Sequence, residues 1–524
     1  MPKRKTVCRL QKLCLENVAN NMDRAWVKDY RRNHLGKYHS QCSSLCGREA
    51  QDGWAPSCSL RVNKVQDQTH KSAVCKMRIG KCGGEGGCLA EGNLTSLSLN
   101  GCNQIPAVAL TDVVKALPRL TKLKLVATQC NTQVLSTIGS YCPKLNELDI
   151  TNCKRLTPDS LLHLAYDPIT GAYCCQSLQR LTTDGLMPST NYLSLLWYLV
   201  FVLLALPSLK YLGHHATEQA VRLIHDQNFS RTRMPVGFPS LEEVARYRTS
   251  THPNEESSRF TLALKQIYDV VDSTLPKVRA VCPHLLELSV ILRDCHGLDQ
   301  HLLAWHSLVH LIICGRGKDL RELLPVTACL GTQLEQLSLE GFTFKDGLTF
   351  HTLLSHCPNL LLFEFFFLSP VMYGFDRQSE NEAINWDLSL PPLHFPELTG
   401  FFIMYTDIGN PLPSWHVAVV NNILVSVFKY SPLLKTLTLL CLPFSLDEAF
   451  QKVLNPPSTA LLHLHELSLL QAQISVNTIN LLLSTENQLS ILSLEKCLNI
   501  NNTDYTELLR RVNNENFELV IKWK

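Results

Sequence analysis

Charge is scarce in this chain and nearly balanced, and its most apolar stretch stops short of a membrane span. Only 18% of the 524 residues are Asp, Glu, Lys or Arg, against 45% hydrophobic residues and a formal net charge of +3. That is the composition of a globular chain and not of a disordered one. Tyr192 to Leu206 is the most membrane-like segment, but it is 15 residues long, short of the roughly 20 that a spanning helix needs. It also runs directly into Leu209 and Leu212, which belong to the repeat described below, so it is expected to be a buried helix.

Signatures of catalysis are missing as well. No Gly-x-Ser-x-Gly and no His-Glu-x-x-His occurs, and no carboxylate pair lies in a shared frame. The run Gly83, Gly84, Glu85, Gly86, Gly87 has no following Lys-Ser/Thr and reads as a linker. His301, His306 and His310 are spaced by five and four, which does not put all three on one helical face. Zinc sites want pairs of ligands two to four residues apart; Cys42 and Cys46 fit, whereas Cys82 and Cys88 are too far apart. The chain is therefore expected to bind and not to catalyse, with no metal and no cofactor.

Met1 to Cys8 is polar and basic, without a following apolar run, so no export signal is expected. The 21 cysteines are then expected as reduced thiols of a cytoplasmic protein, and the sequons at Asn93, Asn228 and Asn501 as unused. Pro2, Lys3, Arg4 and Lys5 form a candidate nuclear signal. The charge is uneven: residues 1–40 carry ten Lys/Arg against three Asp/Glu, a local +7 that leaves −4 on the remainder. Because the basic residues share that stretch with an apolar pattern, a protein partner is favoured over nucleic acid.

What the sequence does have is a repeat. A phrase Leu-x-x-Leu-x-Leu recurs, often with Cys or Asn three residues after its last apolar position. Leu94, Leu97 and Leu99 precede Cys102; Leu145, Leu148 and Ile150 precede Cys153; Leu489, Leu492 and Leu494 precede Cys497. Further copies centre on Leu123, Leu288, Leu311, Leu337, Phe363, Phe401, Leu437 and Leu467, with weaker ones on Leu181, Leu212 and Val244. Centres repeat at 26 residues from Leu97 to Leu123, at 25 from Leu123 to Leu148, and at 26 from both Leu311 to Leu337 and Leu337 to Phe363. Each phrase alternates apolar and polar residues, as a strand with one buried face must. Stretches such as Pro106–Leu117 and Leu135–Tyr141 read as intervening helices. One strand and one helix cannot bury their own apolar faces, but stacked copies can. The expected fold is an α/β leucine-rich-repeat solenoid, a horseshoe, over residues 93–524, closed by a terminal strand from Phe517 to Trp523.

Cys142-Pro143, Cys282-Pro283 and Cys357-Pro358 introduce three of the copies. This Cys-Pro-x-Leu-x-x-Leu-x-Leu-x-x-Cys phrase resembles the cysteine-containing repeats of F-box/leucine-rich-repeat proteins. No F-box-like helical module stands before it. Residues 1–40 instead hold Leu10, Cys14 and Val18 at i, i+4 and i+8, a stripe of one helical face widened by Leu13, Met22 and Trp26. Leu-x-x-x-Cys-x-x-x-Val looks like the BC-box through which substrate receptors bind Elongin B/C, and a first helix of this kind ahead of leucine-rich repeats is similar to the Zyg/Zer receptors of cullin-RING ubiquitin ligases. That resemblance implies an adaptor-binding role for Leu10, Leu13, Cys14 and Val18, with Skp1 as the adaptor in an F-box-like variant. Arg9 stands where Ser, Thr or Pro is usual, and neither a cullin-box phrase nor the armadillo-like domain of that family accompanies the motif. A helix capping the first repeat would carry the same stripe. Residues 41–92 read as a flexible insert.

Two function classes follow: a substrate-recognition subunit of a cullin-RING ligase, or a leucine-rich-repeat scaffold or inhibitor without a ligase link. In either, the target is expected on the sheet. The position three after each centre reads Val126, Thr151, then Ile291, Cys314, Glu340, Phe366, Met404, Leu440, Leu470 and Glu495 down the repeats. Phe366, Met404, Leu440 and Leu470 thus form an apolar column, with Leu362 and Phe402 beside it and Glu364 and Glu466 at its border. These six apolar residues are the candidate partner-binding set. Segments 369–392 and 405–430 read as insertions that could cover the column.

Overall fold

The computed structural model describes residues 94–523 apart from 187–191, 228, 230–232, 252–260, 294–296, 345–346, 369–389, 407–413 and 456–459. Leu10, Leu13, Cys14 and Val18, and the whole of residues 41–92, lie outside the described residues.

Strand and helix alternate along the described chain. Five short strands, β1 (Ser96–Ser98), β2 (Lys122–Lys124), β3 (Glu147–Asp149), β4 (Arg180–Thr182) and β5 (Tyr211–Gly213), pair in parallel in chain order. Ten more form a second parallel sheet, also in chain order: β6 (Gln266–Val271), β7 (Glu287–Ile291), β8 (His310–Cys314), β9 (Gln336–Phe342), β10 (Leu362–Phe367), β11 (Gly400–Tyr405), β12 (Thr436–Leu440), β13 (Glu466–Leu470), β14 (Ile491–Glu495) and β15 (Val520–Trp523). The repeat centres face one another without slippage. Leu97 pairs with Leu123, and Leu311 with Leu337. Phe363 pairs with Leu337 on one side and Phe401 on the other. Because strand side chains alternate, every centre points to the same side, where it is buried beneath the helices.

The punctuation read from the sequence sits where it should. Pro106 precedes the helix Ala107–Ala116, which ends at Leu117. The next helix, Thr132–Tyr141, is capped by Asn131, whose side chain accepts from the Val134 N–H at 3.1 Å. Cys142 and Cys282 end their helices ahead of Pro143 and Pro283, and both thiols are buried. Proline cannot continue the helix. Cysteines of the repeat also tie neighbouring repeats together: the Cys153 thiol donates to the Leu125 carbonyl at 3.0 Å and the Cys497 thiol to that of Leu469 at 3.7 Å. The Tyr192–Ala205 helix is apolar all round, with Leu195, Leu199 and Val200 fully buried. Among the described residues no helix is long and apolar enough to cross a membrane.

Two expectations need correction. Val244 is not a repeat centre; it lies buried in the helix Leu241–Thr251. The centre of that repeat is Ile267, which pairs with Leu288. A register shift between Ile267 and Val270, with Asp269 in the left-handed region at φ 59°, inserts one residue and breaks the Leu-x-Leu spacing. Segment 405–430, of which residues 407–413 lie outside the described residues, is likewise not mainly an insertion over the sheet. Its larger part is the helix Ser414–Tyr430, whose Val420, Ile423, Leu424 and Val427 are buried in the core. At the start of that helix His416 packs on Phe344 and Phe367, core-side residues of the sheet and its edge.

Candidate functional site

The ten-stranded sheet has a second face, built from the residues that alternate with the repeat centres. On β10 these are Leu362, Glu364 and Phe366; on β11, Gly400, Phe402 and Met404. The helices cover the other face, and the side chains here are half-buried; residues 369–389, most of the segment 369–392 expected as a possible cover, lie outside the described residues.

The parallel register brings the expected column together. Cys314 pairs with Glu340, Glu340 with Phe366, Phe366 with Met404, Met404 with Leu440, Leu440 with Leu470, and Leu470 with Glu495. Four half-buried apolar side chains therefore stand on four successive strands, a span of about 15 Å at the ~4.8 Å separation of strands. Phe402 leans into it, its ring centroid 4.8 Å from that of Phe366. Aromatic pairs at this distance bury large apolar areas with few rotatable bonds. Leu362, on the same strand as Phe366, reaches toward Gly400, where a side chain would meet its Cδ1 at 2.7 Å. A glycine there lets Leu362 lie down across the neighbouring strand.

Polar groups on the face divide into two kinds. Toward β7 the carboxylate of Glu287 is held inside the protein: the Tyr268 hydroxyl and the Gln266 amide both donate to it, and His310 Nδ1 stands 3.6 Å away. Toward the column, Glu340 has no such company. Burial pushes its carboxyl pKa up, and the negative charges of Asp269 and Glu364 push it further. Glu340 and Glu364 thus stand on adjacent strands at the β9–β10 end of the column. At the far side Glu466 and Glu495 accept from Ser468 and Ser493, at 3.5 and 3.4 Å.

Reading the sequence placed Glu364 and Glu466 at the border of the column and Glu340 next before Phe366 in its series, but missed Asp269 as a charge acting on Glu340, because the bulge in β6 hides it from a period-two count. Also unforeseen were two buried polar groups on the core side. The Tyr405 hydroxyl and both ring nitrogens of His416 are buried without a hydrogen-bond partner, among Phe344, Phe367 and Trp415. Burial holds the His416 pKa down at about 3. No group of His, Cys, Asp and Glu suited to a metal ion occurs among the described residues.

Residues 334–358 match the family model for the Leucine Rich Repeat; they contain β9 and the helix Gly347–Ser355 that follows it. No curated protein matches the chain. Two solved structures are distantly similar. One is the complex of Rad7 and Elc1 in yeast, at 16% identity and a TM-score of 0.33, the match covering 56% of this chain and 72% of that one. The other is a TDR receptor, at 12% identity and a TM-score of 0.23, covering 73% of this chain and 52% of the receptor's.

Proposed function

We propose that this chain is the substrate-recognition subunit of a cullin-RING ubiquitin ligase: the open face of the ten-stranded sheet holds the target protein, and an N-terminal helix bearing Leu10, Leu13, Cys14 and Val18 holds the adaptor. The role is one of binding, without catalysis by the chain itself. The observation that carries the target-binding half is the register-aligned column of Phe366, Met404, Leu440 and Leu470. Half-buried apolar groups arranged side by side across a sheet and bordered by charge mark protein-binding surfaces. The adaptor-binding half rests on the BC-box-like spacing of Leu10, Cys14 and Val18, with apolar anchors every helical turn, as in helix-in-groove recognition.

The test is co-purification of Elongin B/C, Skp1 and cullins with the full chain and with the double variant Leu10→Ala, Cys14→Ala. Recovery of Elongin B/C and cullin with the parent and its loss from the variant is the expected result. Skp1 in place of Elongin B/C would assign the F-box-like variant of the same role. Equal recovery from both chains removes those four residues as the adaptor site. No adaptor with either chain leaves the second reading, a leucine-rich-repeat scaffold or inhibitor that uses the same sheet face.

A further inference from the structure

The five-stranded sheet carries a guanidinium that the fold fixes in place and leaves without a counter-ion. Arg180, exposed at the start of β4, lies over the Tyr211 ring on β5, its Cζ 4.3 Å from the ring centroid. Tyr211 is itself buried, although it belongs to the open face. Its ring runs along its own strand over Gly213, where a Cβ would stand 2.9 Å from the hydroxyl oxygen and 3.1 Å from Cε1. The Tyr268 ring of β6 meets it edge-on at 6.1 Å. From the side, Arg180 Nη2 donates to the Gln266 carboxamide oxygen at 3.1 Å, and the Gln266 amide donates in turn to Glu287. Gln266 thus stands between the cation and that carboxylate and keeps them apart.

The carboxylate that faces Arg180 in the register is diverted as well: Glu147 pairs with Lys122 at 3.2 Å and Lys124 at 3.7 Å. Among the described residues Arg180 forms no ion pair, and its N–H donors other than the one on Gln266 have no acceptor. Lys210 and Lys265 stand next to it where β5 and β6 begin, the Lys265 N–H donating to the Lys210 carbonyl at 2.8 Å, and neither forms an ion pair among the described residues. Positive charge therefore gathers where the two sheets meet. A guanidinium already stacked on a ring loses little further freedom when it makes a fork of hydrogen bonds. Arg–carboxylate pairs of that kind are strong and directional, and Arg beside Tyr is the make-up of the energetic centres of protein interfaces.

We propose that Arg180 is a second anchor of the open face, seating an Asp or Glu side chain of the target protein against the free edge of its guanidinium. This rests on the reading of the open face as the target-binding surface and adds the chemistry of the target at a second place. A carboxylate fits the seat better than a phosphate. Its two oxygens match one guanidinium edge, Lys122 and Lys124 are already engaged, and Glu287 behind Gln266 opposes a dianion. From Arg180 on β4 to Phe366 on β10 the face crosses six strand spacings, about 29 Å. The target thus presents its acidic residue roughly nine extended residues away from its apolar contact.

Random peptides of about 12 residues displayed on phage, long enough when extended to reach from Arg180 to Phe366, test the proposal when selected on the full chain and counter-selected on Arg180→Ala. The expected result is enrichment of peptides with Asp or Glu at a fixed position. Binding of a synthetic enriched peptide should weaken about tenfold in Arg180→Ala and severalfold in Arg180→Lys, which keeps the charge but neither the fork nor the stack. Changing the peptide's acidic residue to its amide should cost the same factor in the parent chain and nothing further in Arg180→Ala, as a direct contact requires. Enrichment without acidic residues, or losses that multiply in the combined change, overturns the proposal. Phosphoserine at the acidic position that binds about tenfold tighter or more assigns the seat to phosphate and overturns it too. Peptides lost from Phe366→Asp but not from Arg180→Ala overturn this inference while leaving the column as a binding surface. Peptides indifferent to both variants remove the reading of the open face on which it stands. Arg180→Lys retains charge and stem at an exposed position, so it reports even if the alanine variant fails to fold.

Discussion

Glu340 and Phe366 occupy paired positions on adjacent parallel strands, so a carboxylate and an aromatic ring share one half-buried edge of the open face. The fold gains nothing from that carboxylate, which burial and its neighbours disfavour in the charged form. Its pKa is raised in the folded chain, so its contribution is fully present below its unfolded value and is lost as pH rises through the raised folded value. Glu340→Gln should therefore raise the thermal midpoint at pH 7, with the gain shrinking toward pH 4. A lower midpoint at pH 7 would mean that the carboxylate is stabilised by contacts not yet identified.

The repeat centres bear the stability of the stack. Leu337 is fully buried between Leu311 and Phe363 on the strands to either side. Leu337→Ala removes apolar contact in two repeats at once and should cost about 2–5 kcal/mol, read as an earlier denaturant midpoint. An unchanged midpoint would show that the core at this strand is loosely packed.

Gly331 marks a place where backbone meets backbone. A Cβ there would stand 2.2 Å from the His356 carbonyl oxygen and 2.9 Å from the Cys357 sulfur, at a junction between successive repeats. Neither a carbonyl nor a buried sulfur can swing aside, so Gly331→Ala should destabilise by about 1–3 kcal/mol although alanine is the better helix former. Thermal unfolding of the variant measures this, and a stabilised Gly331→Ala chain would contradict the packing.

Acid should weaken the fold before it protonates most carboxylates. Burial holds His214 down at about 4, with a further push from His215, and His416 down at about 3. In the unfolded chain both imidazoles take a proton below about 6.5. Their contribution is thus fully present above that pH and is lost progressively as pH falls through 6 and 5 toward the folded values. The melting midpoint should drop over this window, and His416→Phe, which fits an aromatic surrounding and cannot titrate, should flatten the drop. A profile equally steep in that variant would remove His416 from the acid response.

Much of this architecture was legible because Leu97, Leu123 and Leu148, or Leu311, Leu337 and Phe363, recur at 25 or 26 residues. A constant period with one buried face admits one register, and that register fixes the neighbours of Phe366. The failures have local causes. One inserted residue at Asp269 disguised β6, and the strength of the Leu241–Ala245 apolar pattern drew the count to Val244 instead. The helix Ser414–Tyr430 was hidden because Val417, Val419 and Val420 crowd one stretch without a clear stripe of period 3.6. At the candidate site the alignment of Phe366, Met404, Leu440 and Leu470 was readable from spacing alone. That Glu287 is satisfied and Glu340 is not was unreadable, since it depends on which hydroxyl, amide and imidazole the fold delivers to each carboxylate.

The most direct measurement of the central claim is the quantified set of proteins bound by the full chain, by Phe366→Asp and by Leu440→Asp, each shown to be folded by circular dichroism. Both substitutions put a charge into the half-buried column; Leu440 also packs against the margin of the core, which is why the fold of each variant is checked. The account predicts that the targets bound by the parent chain are lost from both variants while adaptor recovery through the N-terminal residues is unchanged. The same targets recovered at parental levels with both folded variants would show that the open face of the ten-stranded sheet is not where the target binds.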